Sequence, residues 1–176
     1  MGSPFLWAVL VGGLASLGSS ACAEPTVILL ARSAAPEAQP EPSLDVLTRS
    51  TGVRDPLVVR GADVAYADVE ASVGYAVVAS ADGWARARPP TDRFQMTIEL
   101  TSAEASYAGG RLSVALGARA TLRRNPGNVF VAQTSARCDQ AALLPASEGQ
   151  PVFASCARLL GRSLASWLAG VAPDSR

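Results

Sequence analysis

Two stretches of this chain alternate apolar and polar residues so regularly that they leave little choice of backbone. In FQMTIELT, residues 94–101, Phe94, Met96, Ile98 and Leu100 are separated by Gln95, Thr97, Glu99 and Thr101. In RLSVALGARATLRR, residues 111–124, the same period carries Leu112, Val114, Leu116, Ala118, Ala120 and Leu122. Successive side chains of a strand point to opposite faces, so this pattern predicts strands with one face in a core and one in water. Arg111, Arg119 and Arg123 then point away from the core. AGG at 108–110 supplies a turn, and NPGN at 125–128 has Pro and Gly at the two central positions favoured by a type II turn. With VFVAQTSA following, the reading is a three-stranded antiparallel meander over residues 94–137.

Around the meander the periodicity changes. Pro151 opens VFASCARLLGRSLASWLAGV, where Phe153, Cys156, Leu160, Leu164 and Trp167 form a helical stripe that Leu159 and Leu168 widen. Asp63 is a plausible cap for a helix over 64–81, with Tyr66, Val69, Val73, Ala76 and Val77 on one face. Gly74 and its β-branched neighbours leave the second half of that segment open to a strand reading. Ser43 before LDVLTRS predicts a short capped helix ending near Gly52, and PLVVR after Asp55 a short strand. TVILL, Thr26 to Leu30, predicts an early strand. Residues 33–43, rich in Pro, Ala and acids, read as an extended spacer.

The expected fold is therefore α+β: a two-layer domain at 44–172, mainly an antiparallel sheet formed by the meander and the early strand, covered by two helices. Residues 1–22 precede it as a signal segment, 23–43 as strand and spacer, and 173–176 follow as a tail. The segment 4–18, PFLWAVLVGGLASLG, is apolar and uncharged, and reads as the core of an export signal. Two processing rules then compete. Ala21-Cys22-Ala23 before Glu24 is a small-x-small cleavage site, whereas Ser20-Ala21-Cys22 resembles a bacterial lipobox that makes Cys22 the lipidation candidate. The expected location is outside a bacterial cytoplasm, either as an outer-membrane lipoprotein facing the periplasm or as a soluble periplasmic or secreted protein. Once Cys22 is modified or removed, Cys138 and Cys156 remain as an even pair, the pattern of a structural disulfide in an oxidising compartment.

The chain has 15 basic residues, all Arg, against 15 acidic ones, and no Lys or His. A formal net charge of zero provides no long-range field for nucleic acid, which is not an expected partner. Without His or Lys, the usual general bases, Schiff-base formers and imidazole ligands are missing, and no cofactor or metal site is expected. Asp68 with Glu70, or Glu99 with Glu104, are the carboxylate pairs on which a hydrolase would have to rely, but each also reads as ordinary solvated charge. The reading is non-enzymatic. Docking candidates are Arg119, Arg123 and Arg124, joined by Arg137 on the meander's outer surface, and Trp84, in DGWARARPP, as an aromatic anchor. The alternatives are solvated arginines and a tryptophan packed over a helix end.

The export signal with Cys22, the early strand, the helix YADVEASVGYAVV, the meander and the last helix CARLLGRSLASWLAGV together resemble ABC-type transport auxiliary lipoproteins. These are small envelope proteins that accompany MCE-type lipid-transport systems. The resemblance implies an adaptor that docks permease and MCE-type subunits through exposed strand edges and loops, helps hand over phospholipid, and is tethered to the membrane if Cys22 is lipidated. The alternative is a small envelope protein that regulates or assembles cell-wall or outer-membrane machinery through the same kind of surface.

Overall fold

A computed structural model describes residues 24–30, 44–51, 53–87 and 93–171. Cys22 and the signal segment lie outside the described residues, as do the Pro-rich spacer at 33–43 and the tail at 173–176.

The chain is a mixed α+β protein. Its main sheet has four strands in the order β2-β5-β6-β7, formed by β2 (Leu44–Ser50), β5 (Arg93–Ala108), β6 (Arg111–Asn125) and β7 (Val129–Leu143). The last three are the expected antiparallel meander. A second sheet, in the order β1-β4-β3, holds β1 (Thr26–Leu29), β3 (Leu57–Val58) and β4 (Val64–Ala67). Two long helices, α1 (Val69–Arg86) and α2 (Gln150–Gly170), pack on each other; α1 covers β2, and α2 covers β6 and β7.

The alternation predicts the core face well. Phe94, Met96, Ile98, Leu100, Leu112, Val114, Leu116, Ala118, Ala120 and Leu122 are all buried under the helices. Each large one contributes roughly 1.5–3 kcal/mol of burial free energy, so this face accounts for much of the drive to fold. From α2 the buried Val152, Phe153, Cys156, Leu160, Leu164 and Leu168 meet it, and Pro151 occupies the first turn, where its missing N–H costs nothing. Leu159 departs from the expected stripe. It is 42 % exposed, because the stripe is narrower than the sequence suggested and position 159 falls on its solvent flank.

Where β5 turns into β6, Gly109 and Gly110 both take positive φ, 57° and 77°, and Ala108 pairs with Arg111. Two left-handed residues match the twist of a two-residue hairpin and are cheap only for glycine. Such a hairpin, continued without interruption, would set Leu100 opposite Arg119 and so put the two apolar rows on opposite faces. A bulge between Leu100 and Ser102 removes the conflict. Beyond it Ile98 faces Ala120 and Met96 faces Leu122, and both apolar rows share one side. At the other hairpin Gly127 and Asn128 both have positive φ, where the expected type II turn needs only one such residue.

Three local expectations are corrected. LDVLTRS is not a helix: it pairs in parallel with β5, Leu44 opposite Phe94 through Ser50 opposite Leu100. Leu44, Val46, Thr48 and Ser50 turn inward while Asp45, Leu47 and Arg49 are exposed, so a two-residue period was hidden in a seven-residue stretch that also suits a helical turn. The helix expected over 64–81 begins later. Residues Val64–Ala67 are β4, Asp68 caps α1 in a left-handed conformation, and α1 then runs to Arg86, so the segment after 69 is helix and not strand. Tyr66 and Val69 share a buried side with both elements, which is why the apolar spacing looked continuous. Gly74 stays in the helix because α1 lies close on β2, where an added Cβ would come 2.5 Å from the Thr48 Oγ1.

The third correction concerns the early strand, which does not join the meander. β1 pairs in parallel with β4, Thr26 opposite Val64 through Leu29 opposite Ala67. The small sheet is nonetheless tied to the large one. The Arg60 N–H donates to the Ala105 carbonyl at 2.9 Å, and the Tyr107 N–H donates to the Arg60 carbonyl at 2.8 Å, which extends the pairing along the far end of β5.

Candidate functional site

Among the described residues, the helices cover one face of the four-stranded sheet and leave the other to solvent. On that outer face the strand registers align Arg49 of β2, Glu99 of β5 and Arg119 of β6 in one row. Arg49 donates to the Glu99 carboxylate, and Arg119 approaches the same group at 3.9 Å. One carboxylate thus orders two guanidinium groups. Arg123 lies further along the same face, where its Nη1 donates to the Asn128 carbonyl at 3.0 Å. Thr97, Thr121 and Phe130 complete a shallow groove of about 300 Å³ here. Phe130 and Leu47 are 55 % and 48 % exposed, so the face offers apolar as well as cationic contacts.

Arg124 is not part of this face. The alternation that sends Arg123 outward sends Arg124 to the helix side, where its guanidinium carbon lies 5.6 Å from the centre of the Phe94 ring. Trp84, in the last turns of α1, meets the same ring edge-on at 5.4 Å. The structure therefore divides the expected docking residues into two sites. Arg119 and Arg123 share the outer face; Trp84 and Arg124 both contact the Phe94 ring at the end of α1.

Toward the far end of the outer face Arg137 and Asp139 of β7 form an ion pair, with Arg137 Nη2 3.1 Å from Asp139 Oδ1. This hydrogen bond and the nearby negative charge hold the Arg137 guanidinium in its charged form, raising its already high pKa. Arg60 and Glu104 pair at 3.3 Å. Sequence reasoning singled out the arginines but missed the organising role of Glu99 and Asp139. For Asp139 the signal was its two-residue spacing from Arg137, which places both on one strand face. For Glu99 no such local signal exists, because its partners sit on β2 and β6.

The helix layer carries a groove of about 720 Å³ between α1 and α2, lined by small residues such as Ala79, Ala154 and Ala165 together with Tyr75, Arg158 and Arg162. The proposed carboxylate pairs are not brought together as acid and base. Glu70 accepts a hydrogen bond from Ser50, Asp68 lies at the helix start with its N–H donating to Asp55 Oδ1 at 3.2 Å, Glu99 serves the arginine row and Glu104 pairs with Arg60. Among the described residues no group of three or more His, Cys, Asp or Glu side chains is placed to hold a metal ion, and no helix is long and apolar enough to cross a membrane. Cys138 of β7 and Cys156 of α2 are joined in a disulfide, with Cα atoms 5.6 Å apart, as the cysteine count predicted.

No family model matches the chain, and no curated protein is similar to it. Solved structures are. Protein XCC0632 from Xanthomonas campestris, described by the family model DUF330, superposes with a TM-score of 0.56 at 15% identity, over 81% of this chain and 93% of that one. A "putative lipoprotein" from Caulobacter crescentus CB15 aligns over 73% of this chain and 92% of its own at 15% identity, with a TM-score of 0.39. Protein CT253 from Chlamydia trachomatis aligns over 84% and 97% at 10% identity, with a TM-score of 0.42. The first of these shows a shared fold; at this identity it shows nothing more.

Proposed function

We propose that this chain is an exported envelope protein that acts by docking other proteins and performs no chemistry of its own. The observation that carries the reading is the uncovered outer face of the four-stranded sheet. A sheet of this size normally buries one face and solvates the other with mixed polar residues. Here the solvated face also holds an ordered Arg49-Glu99-Arg119 row, Arg123 and the exposed ring of Phe130. Arginine and aromatic side chains are the residues that most often anchor interfaces, and preordered guanidinium groups lose less side-chain entropy on binding.

The finer reading is an auxiliary component of an ABC-type lipid-transport system, docking permease and MCE-type subunits. It draws on the export signal, the lipobox-like Ser20-Ala21-Cys22 and the order of elements in the fold. Tethering through Cys22 would hold the outer face near a membrane-bound partner at high effective concentration.

The test is affinity capture of the full chain from its native envelope. Wild type should retain the permease and MCE-type subunits of one transporter, and F130A with R119E should lose them while keeping the wild-type melting temperature. Retention of neither, or equal retention by the variant, overturns the reading. Intact-mass analysis of the same material reports on Cys22: a diacylglycerol adduct supports the tether, and a free N-terminus at Glu24 removes it.

A further inference from the structure

β7 is the terminal strand of the four-stranded sheet, and among the described residues no strand pairs with its outer edge. Its 15 residues span roughly 50 Å of unpaired N–H and C=O groups. Proteins usually blunt such an edge with proline, with several charges, or by keeping it short. β7 has no Pro or Gly, and its only charges are Arg137 and Asp139. The disulfide from Cys138 to α2 pins the middle of the strand, so the edge is held ready for pairing.

We infer that β7 pairs antiparallel with β7 of a second copy of this chain, about a two-fold axis through Cys138, to form a homodimer with a continuous eight-stranded sheet. This goes beyond the adaptor reading, which concerns the outer face and a different partner. Symmetry and pleat together restrict the choice. Paired residues must lie on the same face, so each symmetric register is centred on a residue. The strand is regular only from Ala132 to Leu143, because Val131 is bulged out between the pairs Leu122 with Ala132 and Arg123 with Phe130. Registers centred on position 137 or 138 use most of that stretch.

Charge decides between them. A centre at 137 sets Arg137 against the partner's Arg137, and a centre at 139 sets Asp139 against the partner's Asp139. Only a centre at 138 places Arg137 opposite the partner's Asp139, and does so twice. The ladder then runs from Gln133 to Leu143, eleven residues, and ends where the bulge ends the regular strand. Each within-strand Arg137-Asp139 pair becomes half of a four-charge network. Leu143, 81 % exposed in the isolated chain, comes to lie beside the partner's Gln133.

Sedimentation velocity of the full chain reads the proposal directly. Wild type should sediment as a dimer. R137D and D139R each place like charges opposite one another and should raise the dissociation constant about tenfold or more, since both cross-strand charge pairs are inverted from favourable to unfavourable. An equimolar mixture of the two variants restores opposite charges across the axis and should dimerise again; because it uses the same two proteins, recovery shows that each was folded. A wild-type monomer at every concentration overturns the proposal, as does a dimer that either variant leaves intact. Variants that fail to dimerise both alone and mixed overturn the register. Transporter capture is read separately, so either idea can fail without the other.

Discussion

The phenol of Tyr66 in β4 donates a 2.6 Å hydrogen bond to the carbonyl of Ala146, eighty positions away, just before α2. The ring is fully buried and lies 5.6 Å from that of Phe153, so one side chain joins the small sheet to the start of the covering helix. Replacing it by Phe keeps the ring and removes one of two hydrogen bonds that the Ala146 carbonyl accepts, the other coming from the Gly149 N–H at 3.2 Å. Y66F should lose about 0.5–1.5 kcal/mol of stability in a urea titration.

The same phenol makes stability depend on alkaline pH. Burial raises its pKa above the usual value of 10.0, an effect only partly offset by a backbone hydrogen bond from Gly149. The unfolded chain therefore loses its proton first, and binds fewer protons than the folded chain above about pH 10. The contribution is complete below that pH and is lost as pH rises through the folded value. Unfolding free energy, measured from pH 9 to 11.5, should fall more steeply for wild type than for Y66F; parallel curves would contradict this.

Reduction of the Cys138–Cys156 bridge opens a closure with a sequence separation of 18. The chain-entropy model puts the loss at about 3 kcal/mol. The C138S/C156S variant and the reduced wild type should show the same lowered urea midpoint, and an unchanged midpoint under reducing conditions would contradict the account.

Gly161 sets the approach of the two helices. A Cβ there would come 2.6 Å from the Ala76 carbonyl oxygen, part of the backbone of α1 and unable to step aside. G161A should destabilise by about 1–3 kcal/mol, the usual cost of overpacking, even though alanine is the better helix former. A G161A protein at least as stable as wild type in thermal denaturation would show that the helices are less closely held.

Trp84 is expected to matter for packing and not for partner capture. Its indole packs edge-on against Phe94, the ring that the Arg124 guanidinium also contacts, and W84A should cost about 2–4 kcal/mol of stability. Capture by the outer face should persist at a temperature where the variant is folded. Loss of capture with stability intact would restore Trp84 as an anchor.

How much was legible follows from the range of each interaction. The meander was readable because its alternation is long and the Gly109-Gly110 turn is local. Even the bulge at Thr101 was implied there: a two-residue turn and the two apolar rows cannot share one face without an odd insertion. β2 was not readable, because seven residues suit either a helix turn or a strand and its partner, β5, lies more than forty positions away. Arg119 and Arg123 were correctly placed on the outer face by the same alternation, which also should have removed Arg124 from it. The Arg49-Glu99-Arg119 row needed the parallel pairing of β2 and so stayed hidden.

The sequence by itself determined the α+β class, the core face of β5 and β6, the amphipathic last helix and the cysteine pair, because periodicity and turn chemistry act within a few residues. Only the tertiary structure decided that LDVLTRS is a strand, that β1 joins β4 in a second sheet, and that Trp84 and Arg124 each contact the Phe94 ring. Those outcomes depend on which distant strand supplies hydrogen bonds and which ring fills a gap, and hydrogen-bond pairing and packing override weak local propensity wherever the two compete.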